Sequence, residues 1–323
     1  MINRIIKVLK KIKHLILQNI LPKESEKNKV LLAQNVAINK RSLKSIYDFG
    51  DVEFSCFSQY GEDGIIDWLL SKLPMIPKKF VEFGVEDYYE SNTRLLLQLR
   101  NWQGLIMDGS NDFIKDIKAQ DISWRHHVDA ICAHITKENI NSLLEQNGMT
   151  GNVGLLSVDI DGNDYHVWKS INIINPAIVV IEYNAIFGDL HSVTIPYRPD
   201  FLRTKAHFSN LYFGASLPAL ISLGKEKGYT FVGTNTIGAN AFFIRDDLAP
   251  QITLLLDSKS GYPSVFREAR DHAGKLLLLG GLKRSETIKD ITLFDVKNNK
   301  NTSLNSLGEI YSSSWKNGYR NIF

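Results

Sequence analysis

The sequence predicts an α/β chain whose core is a mostly parallel, doubly wound sheet, and three observations carry that expectation. From about residue 54 onward, short apolar runs alternate with amphipathic stretches, as strands joined by crossover helices do. Several of these runs end in a carboxylate beside a glycine, as in "VEFG", "IMDG" and "VDIDG", where an open parallel sheet presents its ligand-binding edge. The last two runs are separated by only "TNTIGAN", too little for a parallel crossover, so they form an antiparallel hairpin.

Taken in order, "MINRIIKVLKKIKHLILQNILPK" spaces Ile2, Ile5, Ile6, Leu9, Ile12, Leu15, Ile16 and Ile20 as one face of a helix with lysines around the rest. It is too charged to span a bilayer and lacks the uninterrupted apolar stretch and small-residue cleavage site of a signal peptide. Three readings stay open: an interfacial helix on an anionic membrane surface, a homo-oligomer contact, or a helix packed on the domain. Residues 1–53 are thus read as an amphipathic helix and linker, 54–248 as the main domain and 249–323 as an extension. Strands are expected at Phe80–Phe83, Gly104–Met107, His126–Ala130, Leu155–Asp159, Ile178–Glu182, Thr230–Gly233 and Ala239–Ile244. Helices are expected at Asn92–Leu99, Lys137–Asn147, Asp164–Ser170 and Ala215–Lys227. The weakly periodic stretch from Ala185 to Gly214 reads as a lid or substrate loop, and "ITLFDVKNNKNTSLNSL" as a hairpin in the extension.

With 38 basic against 35 acidic residues the net charge is +3, and the excess is concentrated at the N-terminus, which argues against a nucleic-acid footprint. The two cysteines, Cys56 and Cys132, form no paired motif and fit a reducing, cytoplasmic compartment, peripheral to the inner membrane face if the first helix binds lipid.

The stretch "FVEFGVEDYYESN" poses the functional question. A strand running into a glycine turn and helix normally cradles phosphate, yet Gly84 is flanked by Glu82, Glu86 and Asp87. An acidic turn suits a ligand with an amino group, a sulfonium and no phosphate, which describes S-adenosylmethionine. Asp108 closes the next run 24 positions later, as its number shows, and a carboxylate there can accept both hydroxyls of a ribose. Asp129 after the third run is placed for an adenine amino group, with Ala130 offering a backbone amide. Asp159, Asp161 and Asp164 crowd into "VDIDGND", and such a cluster calls for a cation, a metal or helix amides to offset it. The fifth run delivers Glu182, Tyr183 and Asn184 to the same edge.

Together "SQYGEDGII", "FVEFGVEDYYESNT", "GLIMDGS", "LLSVDIDGNDYHVWKSI" and "IVVIEYN" resemble the FkbM-like branch of class I S-adenosylmethionine-dependent methyltransferases, over roughly residues 54–245. The resemblance implies a Rossmann-like seven-stranded sheet with a terminal antiparallel hairpin, and methyl transfer to a hydroxyl of a sugar or polyketide-type acceptor. By position, Glu82 and Gly84 match the first cofactor motif, Asp108 with Gly109 and Ser110 the ribose-binding turn, and Asp129 with Ala130 the adenine contact. Gln59 and Glu62 would close over the cofactor, and Asp159 borders it. "GVEDYYE" departs from the pattern by lacking the second and third glycines of G-x-G-x-G.

A sugar hydroxyl is a poor nucleophile at neutral pH, so either a divalent metal or a general base must assist. The metal candidates are Asp159, Glu182 and Asn184, an oxygen-only set that favours Mg²⁺ or Mn²⁺. The base candidates are Asp161, His191 and His207. Tyr197, Arg198 and Arg203 would suit a phosphorylated or nucleotide-linked sugar. Two competing classes remain: a glycosyltransferase using Asp159-Ile160-Asp161 as a metal-binding D-x-D, and a non-catalytic binding module.

Overall fold

The computed structural model describes residues 21–322, so the amphipathic stretch expected over residues 2–20 lies outside the described residues. Seven strands form the central sheet: β1 (Lys79–Phe83), β2 (Gln103–Asp108), β3 (Val128–Cys132), β4 (Gly151–Val158), β5 (Ile174–Glu182), β7 (Tyr229–Thr234) and β8 (Asn240–Arg245). Their spatial order is β3-β2-β1-β4-β5-β8-β7. The first five are mutually parallel, and β8 runs antiparallel to both β5 and β7, as the short "TNTIGAN" connection requires. This is the Rossmann-like methyltransferase-type sheet that the sequence led us to expect. Its order reverses between β1 and β4, where open α/β sheets bind their ligands.

Strand residues alternate between two buried layers. Phe80, Ile106, Leu155, Ile178 and Val180 face a core shared with helix α2 (Glu62–Lys72), α3 (Arg94–Arg100) and α4 (Asn111–Ala119). Val81, Leu105, Leu156, Val179 and Ile181 face the opposite core, with α5 (Ile140–Gln146), α6 (Asp164–Ser170) and α7 (Leu217–Glu226). Runs apolar on every residue, such as "AIVVIE", are what a strand covered on both faces needs.

Preceding these, α1 (Leu21–Ser42) is docked on the domain rather than held off it. Ala33 shares a small apolar cluster with Phe57 and Leu95, Glu26 pairs with buried Arg94, and Arg41 joins Arg100 on the buried carboxylate of Asp67.

The stretch read as a lid is packed. It contains β6 (Val193–Thr194), which pairs with β9 (Thr292–Asp295), itself hairpinned to β10 (Lys300–Ser303), giving a separate three-stranded antiparallel sheet. Ile186, Phe187, Val193, Ile195, Phe201 and Leu211 share a third core with Ala269, Ile288, Leu293 and Leu304 of the C-terminal segment. That segment ends in α8 (Ser313–Ile322), whose Trp315 donates to the Gly261 carbonyl. Among the described residues, no helix is long and apolar enough to cross a membrane.

Candidate active site

At the β1–β4 switch, Gly84 takes φ +71°, and a Cβ placed on it would lie 1.6 Å from the Asp159 carbonyl oxygen. Only glycine lets the turn after β1 touch the end of β4 so closely. Two residues on, where the usual motif has its second glycine, Glu86 itself adopts φ +46°. Its amide donates to Asp108 Oδ2 (2.9 Å), and the Ser110 amide donates to Asp108 Oδ1 (2.7 Å), so one carboxylate ties the turns after β1 and β2 together. Ser110 is then spent on its own helix, accepting from the Phe113 amide at the start of α4.

These turns floor a cleft of about 500 Å³ along the carboxyl edge of β1, β2, β4 and β5. Eight carboxyl side chains line it (Glu62, Glu82, Glu86, Glu90, Asp108, Asp159, Asp161 and Glu182), against one guanidinium, Arg203, and one imidazole, His134. Phe113, Met107, Ile135 and Phe201 add apolar wall. Gly109 also lines it, and a Cβ there would meet no protein atom within 4 Å, so its face is open to the cleft.

The loop above the cleft is fixed by a buried anion. Asp63 Oδ2 accepts the amides of Cys56, Phe57 and Ser58 at 2.7, 2.7 and 2.8 Å, which places Gln59 over the opening. Burial nevertheless pushes the Asp63 carboxyl up to about 6. Glu62 accepts from the side-chain amides of Asn235 (2.7 Å) and Asn240 (2.8 Å) and from the Tyr60 amide, clamping the β7–β8 hairpin to α2. Glu82 accepts from the Asn92 amide (2.7 Å) and the Thr93 hydroxyl, and burial raises it to about 7. Asp164 accepts from the Ile160 (2.8 Å) and Gly162 (2.9 Å) amides and shapes the loop after β4.

The β4–β5 edge is different. Asp159, Asp161 and Glu182 can bring one carboxylate oxygen each within 4.8 Å of one another. Glu182 Oε2 is buried with no hydrogen-bond partner, as are Asn163 Oδ1 and Asn240 Oδ1, which line the same cleft. Burial first, then the neighbouring acids, holds Asp159 and Glu182 well above the usual carboxylate range. Arg203 offsets part of this charge: it pairs with Asp161 and with Glu268 (3.1 Å), while its Nε donates to the Asn210 carbonyl (2.8 Å).

Several sequence expectations are corrected here. Asn184 is a structural residue, not a ligand: its amide donates to the Leu211 and Phe213 carbonyls (2.9 and 3.0 Å) and its Oδ1 accepts the Ile186 amide. Asp161 takes its place in the acidic group. His191 and His207 line no part of the cleft; His191 donates to the Glu309 carbonyl, and His207 pairs with the Ser209 hydroxyl. The third strand begins two residues later than expected and ends at Cys132, so Asp129 and Ala130 lie within it, opposite Leu105 and Ile106, rather than beyond its end. Ala133 and His134 reach the cleft in their stead, and His134 donates to the Pro199 carbonyl. Tyr197 bonds Glu138, and Arg198 pairs with Asp200, both on the exposed exterior.

No family model matches the chain, and no curated protein matches it. Solved structures similar to it include the N-terminal domain of EvdMO1 with SAH bound, at 9% identity over 57% of this chain and 79% of that one, with a TM-score of 0.37. Another is an S-adenosylmethionine-dependent methyltransferase from Clostridium acetobutylicum ATCC 824, at 11% identity over 57% and 90%, TM-score 0.36. A third is the plantazolicin methyltransferase BamL with a triazolic desmethylPZN analog and SAH, at 14% identity over 69% and 97%, TM-score 0.36.

Proposed function

We propose that the protein is an S-adenosylmethionine-dependent O-methyltransferase acting on a hydroxyl of a sugar or nucleotide-linked sugar. The observation that carries the reading is the charge of the cleft: eight carboxyl side chains against one guanidinium, at the switch point of the sheet. The phosphates of a dinucleotide or a sugar diphosphate are repelled at such a site unless a cation bridges them, whereas a ligand with an ammonium and a sulfonium is favoured there directly. This also weighs against a D-x-D glycosyltransferase, although Asp159 and Asp161 do face the cleft.

The chain's own groups fit the cofactor. Asp108 keeps lone pairs beyond its two backbone amides for ribose hydroxyls, Gly109 leaves room for the ligand, and Phe113, Met107 and Ile135 offer an apolar wall to a purine. When bound, the cofactor supplies a methyl group on a sulfonium, which leaves as a neutral thioether. The acceptor oxygen gains that methyl and gives up its proton, so the chain must orient the hydroxyl and take the proton.

The oxygen set of Asp159, Asp161 and Glu182 fits a divalent cation such as Mg²⁺ or Mn²⁺, whose chemistry there would be to acidify the hydroxyl. Glu182 Oε2, lacking a partner, is the carboxylate that would take the proton directly if no cation is used.

Calorimetry with S-adenosylmethionine tests the cofactor. Native protein should bind it, and Asp108→Ala should weaken binding by about 1.5–3 kcal/mol, the range for hydrogen bonds to a charged group. Binding of a sugar nucleotide instead, or unchanged affinity in the variant, overturns the assignment. With an acceptor in hand, turnover should collapse in EDTA and return with Mg²⁺ or Mn²⁺; full turnover in chelator would remove the cation and leave Glu182 as the base.

A further inference from the structure

Behind the acidic edge lies a second cavity of about 170 Å³, room for roughly half a dozen waters at ~30 Å³ each. Gln59, Asp159, Glu182, Arg203 and Asn240 line both it and the cofactor cleft, so the two spaces adjoin along the β4–β5 edge. Its far wall is built by the C-terminal segment, through Ser264, Phe266, Glu268 and Arg284.

Resting on the methyltransferase reading, we propose that this chamber is the acceptor subsite and takes a single uncharged or amino-bearing polyhydroxylated ring, selected by Phe266 and Glu268. Size argues for one ring, since the chamber is well below the ~300–1,000 Å³ of pockets that enclose drug-sized ligands. Shape argues for a ring with an apolar face: Tyr60 and Phe266 meet edge to face at 4.9 Å on the chamber wall.

Hydrogen bonding decides the chemistry. The chamber's cations are already engaged: Arg203 donates to Asn210, Asp161 and Glu268, its guanidinium lying 3.9 Å from the centre of the Phe213 ring, and Arg284 donates to the Ser264 carbonyl. Its acceptors are not, because Glu182 Oε2 and Asn240 Oδ1 are buried without partners. Along the edge formed by Glu182 and Asn240 the demand is therefore for donors, which hydroxyls and ammonium groups supply and a phosphate does not. If the natural acceptor carries a diphosphate, that group stays outside this chamber.

The test uses the full-length chain and three probes, methyl glucoside, glucosamine and glucose 6-phosphate, titrated by calorimetry or ligand-observed NMR with and without S-adenosylhomocysteine. The neutral or the amino ring should bind saturably, and glucose 6-phosphate at least tenfold more weakly than either. Phe266→Trp, which fills the chamber, should weaken the sugar at least tenfold, Glu268→Gln should change the preference between methyl glucoside and glucosamine, and both should bind S-adenosylhomocysteine within about twofold of native. Tightest binding by the phosphate, equal sugar affinity in Phe266→Trp, or no binding by any probe overturns the proposal. Sugar binding by a native chain that ignores S-adenosylhomocysteine would instead sink the methyltransferase reading and leave the chamber a sugar site.

Discussion

Two sets of acids line or underlie the same cleft, and the fold treats them in opposite ways. Glu62, Glu82, Asp108 and Asp164 are each met by two or more donors, mostly backbone amides of the turns they hold. Asp159 and Glu182 are drawn up beside Asp161, and Glu182 Oε2 is left without a partner. A buried carboxylate that accepts several amides organises a loop, and its removal leaves orphaned donors. One that is buried, crowded and unmatched is a standing cost that only a ligand, cation or transferred proton relieves. By this criterion the site divides into a bonded scaffold, which runs from the turns after β1 and β2 to the loop after β4, and a reactive edge, the group of acids at the ends of β4 and β5.

The sharpest break is at the joint of the two regions. In Gly84→Ala the new Cβ would sit 1.6 Å from the Asp159 carbonyl oxygen, at a φ of +71° that alanine resists. Backbone strain and overpacking together should cost about 3–5 kcal/mol, read as a loss of unfolding free energy in denaturant. Loss of under about 1 kcal/mol would mean that β1 and β4 are not held in register by this contact.

A paired substitution compares the regions directly. Asp164→Asn turns an amino group toward either the Ile160 or the Gly162 amide and should destabilise the protein by about 1–3 kcal/mol. Glu182→Gln removes a crowded, unmatched acid, so unfolding free energy should be unchanged or slightly higher while methyl transfer is lost. If the two variants lose stability equally, the division between scaffold and reactive edge fails.

Much of the scaffold was legible in the sequence, because it is local. Strands covered on both faces read as apolar runs, and Asp108 ends its run in plain view. The misplaced third strand shows the limit: "HHVDAICAHI" carries apolar residues enough for either of two windows, and pairing with β2 decides. Knowing that the strand ends at Cys132 would have pointed to His134. The reactive edge was legible only in part, since its state depends on distant partners. Asn184 looks like a ligand until Leu211 and Phe213 claim its amide, and Arg203 meets Asp161 and Glu268 across 42 and 65 positions. Nothing local in "PSVFREAR" marks Phe266 and Glu268 as a cavity wall.

The smallest effect concerns the scaffold acids themselves, which are well bonded yet still buried. Glu82 has an ordinary value of 4.5 and is raised to about 7 by burial, a shift its bonds to Asn92 and Thr93 reduce but do not cancel. The folded chain therefore holds a proton at Glu82 that the unfolded chain releases, and the contribution of this group to stability falls as pH rises from about 4.5 to about 7. His126, His166 and His207, which burial holds below their usual value, contribute in the opposite sense. Asp63 and Asp164, each raised from 3.8 to about 6, add to the decline below pH 6 but little above it. Between pH 6 and 7 the contribution of Glu82 is at most about 1.4 kcal/mol per pH unit, the value of one linked proton. In a chain of this size that is a fall of roughly 2 °C in Tm. Glu82→Gln keeps the acceptor for Asn92 but cannot ionise, so its Tm should be flatter than native across that interval. An equal slope in native and variant would show that the hydrogen bonds hold Glu82 charged and that it belongs wholly to the scaffold.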